Sequence, residues 1–429
     1  MKRQGLPWLG ALGVCAALAM AGPARAADMV FSAGALGPIE EAQKMRTIIL
    51  KDFPGKVEFL PDAPPALLTR LQAEFQGGEH ISSLIGANHG DLAVLAPSGA
   101  LVPLDDLAAE LQSRGFAPAV LTMGKLGTEH QMYIPWMQAT YFMVANKKAL
   151  PYLPAGADLN ALTFAQLTQW GEAVQKATGK RMVGFPAGPT GLMHRFFEGF
   201  LLPSYTGGVV TTFRSPEAEQ AWTEFAALWK TVNPNSTNIN FMQEALLNGD
   251  VWIGFDHVAR LLGALTKQPD DFVAFPAPIG PKGRGWMPVV VGLSIAKGAP
   301  DVAEARALIG YLTKPETQLV TAREVGFFPV VAATLPPDLS PGLKMAVAAI
   351  ERTGQSKESV AAMLPVGLGT KGGEFDKIFL DTFQRIVLRG EAPRAVLDRQ
   401  GAALGRIMQA ANAPCWAPDA PSVGACQVK

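Results

Sequence analysis

Residues 29–33 (MVFSA) are a short, mostly apolar run that predicts a strand, and a loop holding Gly34 and Gly37 follows. Residues 40–53 then place Ala42, Met45, Ile49 and Phe53 at intervals of three or four, which is one face of a helix. Val57 and Phe59 alternate with Lys56 and Glu58, the period of a half-buried strand. Leu67, Leu68, Leu71 and Phe75 predict a second amphipathic helix, closed by Gly77-Gly78. Residues 81–85 predict another strand. This alternation predicts an α/β fold with a largely parallel sheet and helices on both faces.

The middle of the chain continues the alternation. Thr163 is placed to cap a helix running to Ala177, which Thr178-Gly179 ends. Residues 182–185 predict a strand that stops at Pro186, and Gly188-Pro189-Thr190 opens a helix through His194, Arg195 and Glu198. Ser215 begins another helix, with Pro216 at the favoured first position. A short helix at 241–247, buried strands at 251–255 and 289–296, and a helix at 302–312 come next, after which the chain is mostly helical. Breaks rich in proline and glycine near 151–156, 276–285 and 335–342 are hinge or linker candidates.

A chain of 429 residues exceeds one ordinary core and predicts two or three domains. Apolar residues make up 48%, enough for sizeable cores and against disorder. Lysine plus arginine (37) equals aspartate plus glutamate (37), which argues against a nucleic-acid partner. Lys2 and Arg3, an apolar run over 9–21, and Ala24-Arg25-Ala26 form the three parts of a secretory signal peptide, residues 1–26. The run is too short for a membrane span and Pro23 interrupts it. The expectation is an exported, periplasmic or otherwise extracytoplasmic protein. Cys15 lies in the signal, leaving Cys415 and Cys426. An even count in an exported chain suggests a disulfide that staples the proline-rich tail; two free thiols or a metal pair are the alternatives.

Four stretches carry a resemblance: GDLAVLAPSGALVPLDDL from Gly90, YIPWMQATYFMVANKKAL from Tyr133, FMQEALLNGDVWIGFDHVARL from Phe241, and the long run from Phe275 through GPKGRGW to Val330. In their order and spacing they resemble the family 1 extracellular solute-binding proteins of ABC importers, the group that includes maltose and multiple-sugar binding proteins. The resemblance spans nearly the whole chain. It implies two α/β lobes joined by crossing segments, with the ligand between them. Lobe one would be 28–137 plus 288–345, and lobe two 138–287 plus 346–429. It also implies a monomer that closes on a sugar or oligosaccharide, needs no cofactor, and delivers its solute to transmembrane permease subunits rather than transforming it.

A sugar cleft needs aromatic faces for the ring and planar polar groups for the hydroxyls, since a buried unpaired hydroxyl costs about 1–3 kcal/mol. Trp136 and Gln138 sit where the resemblance puts a crossover beside the ligand. Asn88, His89 and Asp91 come after a predicted strand, with a helix cap as the plainer role for Asp91. Arg195 and Glu198 come after the strand that stops at Pro186, and could simply pair with each other at i, i+3. Asp256, His257 and Arg260 come after the strand at 251–255, with a helix cap as the plainer role for Asp256. The family often has a tryptophan in that stretch, and here Arg260 stands in the neighbourhood, which suggests a more polar or acidic ligand or merely a different contact. Trp286 and Phe327 complete the candidates, either as stacking faces or as packing.

Two rival readings remain open at this point. A secreted carbohydrate-active enzyme would need two carboxylates about 5–10 Å apart across one bond, and nothing in the spacing of Asp91, Glu198 and Asp256 marks such a pair. The same fold could instead bind a non-sugar solute, such as a phosphate ester, polyol or polyamine, with Arg195 or Arg260 serving a phosphate. GLGTKG at 367–372 matches a dinucleotide motif in form but lacks a preceding buried strand.

Overall fold

The computed structural model describes residues 29–96, 98–355 and 358–429; the signal peptide expected at residues 1–26 lies outside them. Eleven strands are present among these residues: β1 (Met29–Ala33), β2 (Val57–Pro61), β3 (Ser82–Asn88), β4 (Ile134–Ala139), β5 (Tyr141–Asn146), β6 (Val183–Gly184), β7 (Ile253–His257), β8 (Phe272–Phe275), β9 (Arg284–Trp286), β10 (Val289–Ser294) and β11 (Ser359–Ala361). They form a five-stranded sheet, β2-β1-β3-β10-β4, a four-stranded sheet, β6-β7-β5-β8, and a small β11-β9 pair.

The first sheet agrees with the sequence pattern through β3. β1 pairs in parallel with β2 and β3, and the helix Pro64–Gly77 links β2 to β3. The expectation of largely parallel sheets holds for strand direction, with one reversed strand in each main sheet: β1, β2, β3 and β4 run one way against β10, and β6, β7 and β8 run one way against β5. β10 runs antiparallel to both β3 and β4, and β5 runs antiparallel to β7 and β8. The physical reason is the crossing: β5 enters the second sheet straight from β4, and β10 returns to the first sheet straight after β9, so each arrives from the other lobe and runs against the strands of the sheet it joins.

Local signals explain the helices. Thr163 caps Phe164–Thr178 in a full capping box with Gln166, and Ser215 accepts the Ala218 N–H at the start of Pro216–Trp229. The helix expected to open at Gly188 begins later, at Met193, because residues 188–191 close a turn. It contains a π-turn at Phe197–Leu201 and ends at Thr206.

The crossing segments lie side by side. The buried Thr140 hydroxyl, between β4 and β5, donates to the Met287 carbonyl, between β9 and β10, at 2.8 Å. The helix Pro341–Gln355 packs on β5 and β8. Cys415 and Cys426 are joined in a disulfide, and the tail they staple buries Asp419.

Candidate functional site: a cleft between the two sheets

A cleft of about 570 Å³ opens between the sheets. Its first wall is built at the ends of β1, β2 and β3, from residues 34–38, residues 62–65, then Asn88, Gly90 and Asp91. These are the carboxyl ends of parallel strands, where α/β sheets leave side chains and loop backbone free for ligands. The second wall uses the same logic. His257 ends β7, Arg260 lies just beyond it, and residues 190–195 lie beyond the end of β6. Tyr141 begins β5 but pairs with His257 in an antiparallel register, so it too reaches the rim.

Two arginines face two acids. Arg195 donates to Glu198 at 3.0 Å and stands 4.0 Å from Asp376. Burial works against the Arg195 guanidinium, but Asp376 and Glu198 outweigh it and hold the charge. Glu198 is 2% exposed and lies beneath Arg195. Burial and the neighbouring Asp376 push its carboxyl up, against the pull of Arg195. Arg260 lies over the Phe241 ring at 4.3 Å and reaches the Asn240 carbonyl at 3.4 Å. On the first wall, burial pushes Glu41 up to about 7 against the pull of Arg260, and pushes Asp91 up to about 6 against its Asn88 bond and Arg195. Asn88 Nδ2 donates to Asp91 at 3.2 Å.

The histidines of the cleft are neutral at neutral pH. Burial lowers His194 to about 4 and His257 to about 3. His257 Nδ1 accepts the Ala259 N–H at 3.3 Å, so the ring proton belongs on Nε2. Its ring meets Tyr141 at 5.0 Å and Phe327 at 5.2 Å, making an aromatic corner.

Of the residues expected from sequence, Asn88, Asp91, Arg195, Arg260 and Phe327 line the cleft. Six others do not. Trp136 is fully buried in the first sheet, 5.5 Å from Phe31. Gly86 makes that possible, since a Cβ there would stand 2.8 Å from Phe31 and 3.4 Å from Trp136. Gln138 braces the crossing instead, its side chain donating to the Pro329 carbonyl at 2.8 Å. His89 bonds Tyr133 at 3.0 Å. Glu198 is covered by Arg195. Asp256 is fully buried and accepts the Met242 and His257 N–H groups at 2.9 and 2.7 Å. Trp286 is half-buried on β9, where its carbonyl takes the Ala362 N–H.

His257, beside Asp256 and Arg260 in the sequence, lines the cleft as well, and the cleft recruits residues that sequence reasoning did not single out: Glu41, Tyr141, Phe241 and Asp376. Tyr141, Phe241 and His257 lie inside stretches that carried the resemblance. Nothing in the sequence marked Asp376, which a helix, Gly372–Phe383, brings back to the site.

Residues 38–319 match the family model of the bacterial extracellular solute-binding proteins. The chain belongs to that family. No curated protein matches it in sequence. Among solved structures, it resembles maltose-bound MalE3 of T. maritima, with a TM-score of 0.70 at 19% identity over 88% of this chain and 98% of that one. It also resembles UgpB of Mycobacterium tuberculosis in complex with glycerophosphocholine, with a TM-score of 0.68 at 18% identity over 88% and 98%. Lmo0181 of Listeria monocytogenes in complex with cycloalternan gives 0.69 at 14% identity over 89% and 98%. The two-lobed fold of this solute-binding protein is the one these structures share. Its family is a family of binding proteins, and among the described residues no helix is long and apolar enough to cross a membrane.

Proposed function

We propose that this solute-binding protein captures a neutral sugar or short oligosaccharide in the cleft by lobe closure, without transforming it, and hands it to the permease of an ABC importer. The balance of charge in the cleft carries the reading. Glu41 and Asp91 on one wall face Arg260 and Arg195 on the other, with Asp376 beside Arg195. A phosphate would meet the carboxylates, and a polyamine would meet the guanidinium groups. A polyhydroxylated ligand without charge can accept from arginine and donate to carboxylate at each hydroxyl, leaving none unpaired. Tyr141, Phe241 and Phe327 offer apolar surface to its ring faces. A cleft of this size falls within the roughly 300–1,000 Å³ that small-molecule sites occupy.

In this reading the contacts are Asn88, Asp91, Arg195, Arg260 and Phe327, joined by Glu41, Tyr141, Phe241 and His257. The lobes are 28–137 with 288–345 and 138–287 with 346–429. The packing of Pro341–Gln355 on β5 and β8 supports moving the last crossing ahead of Pro341. Residues 1–26 act as a cleavable export signal, and the mature protein works as a monomer in the periplasm. The ligand touches both lobes, so it binds the closed state better and shifts the population toward it.

A thermal-shift screen of residues 27–429 against neutral sugars, sugar phosphates, sugar acids and polyamines tests this. Ligand at 100 times Kd adds about 2.7 kcal/mol to the folded state. The expected result is a clear shift with a neutral sugar that is recovered unaltered. A shift with phosphates or amines alone would refute the sugar assignment and keep the binding protein.

A further inference from the structure

Residues 362–373 read AMLPVGLGTKGG and contain the glycines that match a dinucleotide motif in form. Only the three-residue β11 precedes them, and the segment is an extended strap that closes in a single turn at Gly369–Lys371. Its base is tied to the second lobe. The Ala362 N–H donates to the Trp286 carbonyl at 2.8 Å, and the Met363 N–H to the Ala417 carbonyl at 2.9 Å. Gly367 abuts the stapled tail, where a Cβ would stand 3.1 Å from Pro414.

The tip of the strap reaches the other lobe. The turn Gly369–Lys371 packs against the helix Pro64–Gly77. A Cβ on Gly369 would stand 3.2 Å from Val94, on the helix His89–Leu95. A Cβ on Gly90, at the start of that helix, would stand 1.7 Å from the Pro365 carbonyl oxygen, a distance no real side chain adopts. The two backbones therefore touch where no methyl group fits. Between base and tip, Leu364, Pro365 and Leu368 line the cleft.

We propose that this strap determines ligand length, by walling the cleft where Gly90 meets Pro365 and restricting capture to solutes of mono- to disaccharide size. The proposal rests on the sugar reading above. A longer chain leaving on that side would have to break the Gly90–Pro365 contact and lift the strap from the first lobe. Closure free energy would then be lost as the ligand grows.

Gly90→Ala is the test. The glycine sits near the start of a helix, and the neighbours its Cβ would meet, Pro365 and Val366, both belong to the strap. The first lobe can fold unchanged while the strap is displaced. Isothermal titration of both proteins with glucose, maltose and maltohexaose reads the length preference. Wild type should bind maltohexaose at least about tenfold more weakly than the best shorter sugar, and Gly90→Ala should narrow that ratio to within about threefold. Equal wild-type affinity for hexamer and dimer, or an unchanged ratio in the variant, overturns the proposal. If wild type binds no sugar, the sugar assignment is what fails, and amide hydrogen exchange judges the strap by itself. Exchange within 364–371 should then rise in Gly90→Ala while the sheets stay protected, and an unchanged strap overturns the proposal. Should Gly90→Ala not fold, Val94→Ala removes the side chain under Gly369 without overpacking, and the same two readouts apply.

Discussion

Glu41→Gln should change how the stability of this protein depends on pH. Glu41 stands half-buried in the helix Ile39–Lys44 on the first wall of the cleft. Burial raises its carboxyl from the ordinary 4.5 to about 7; Arg260 across the cleft and Lys44 one turn on pull it back, and Glu40 pushes it up further. The folded chain thus holds this proton more tightly than the unfolded one. Its stabilising contribution is full below about pH 4.5 and is lost as pH rises through about 7. Such a displacement corresponds to at most about 3 kcal/mol, and solvent screening of a half-buried group reduces it to about 1–2 kcal/mol. The glutamine carries no titration. Urea unfolding of both proteins between about pH 4 and pH 8 should therefore show the variant gaining about 1–2 kcal/mol on wild type across that window, with the difference appearing on the alkaline side. Parallel profiles would refute the burial argument, and a variant that gains toward acid would reverse its sign.

Two further predictions concern what holds the lobes. Trp136→Ala should cost about 3–5 kcal/mol in urea unfolding, because the ring fills the space between Phe31 and Gly86. Trp136→Phe should cost far less, since the indole N–H has no protein partner to lose; a Trp136→Ala protein of normal stability that bound ligand tenfold more weakly would return this residue to the cleft. Asp419→Ala should cost about 2–4 kcal/mol, because its carboxylate accepts the N–H groups of Val209, Val210 and Thr211 at 2.9, 2.8 and 3.0 Å. A loss below about 0.5 kcal/mol in thermal unfolding would show that water or relaxed backbone replaces those bonds.

Placement at the cleft was legible in the sequence for some residues and not for others. Asn88, Asp91, Arg195 and Arg260 were legible because each comes after a strand with a clear hydrophobic run, and strand ends are where this architecture opens. Trp136 was misread for a related reason. Its position beside a crossover is local, but whether its ring turns to the ligand or to the core depends on Gly86 and Phe31, which lie on other strands. Glu198 and Asp256 were near misses of one layer. Each belongs to the right strand end, yet Glu198 supports Arg195 from below, and Asp256 is spent on the backbone N–H groups of Met242 and His257. Asp376 had no sequence signal, because its helix returns to the cleft from the C-terminal part of the chain.

The α/β character, the caps at Thr163 and Ser215, and the strands β1 to β3 could be read without a fold, since they depend on side-chain period and on hydrogen bonds within a few residues. The family was legible too, because four motifs in fixed order are a property of the chain. The antiparallel crossing of β4, β5 and β10, the facing of Glu41 and Asp91 toward Arg260 and Arg195, and the seating of the 362–373 strap on Gly90 emerge only in three dimensions. Each of these joins residues far apart in the chain, and their contact comes from how the two sheets pack rather than from any local preference.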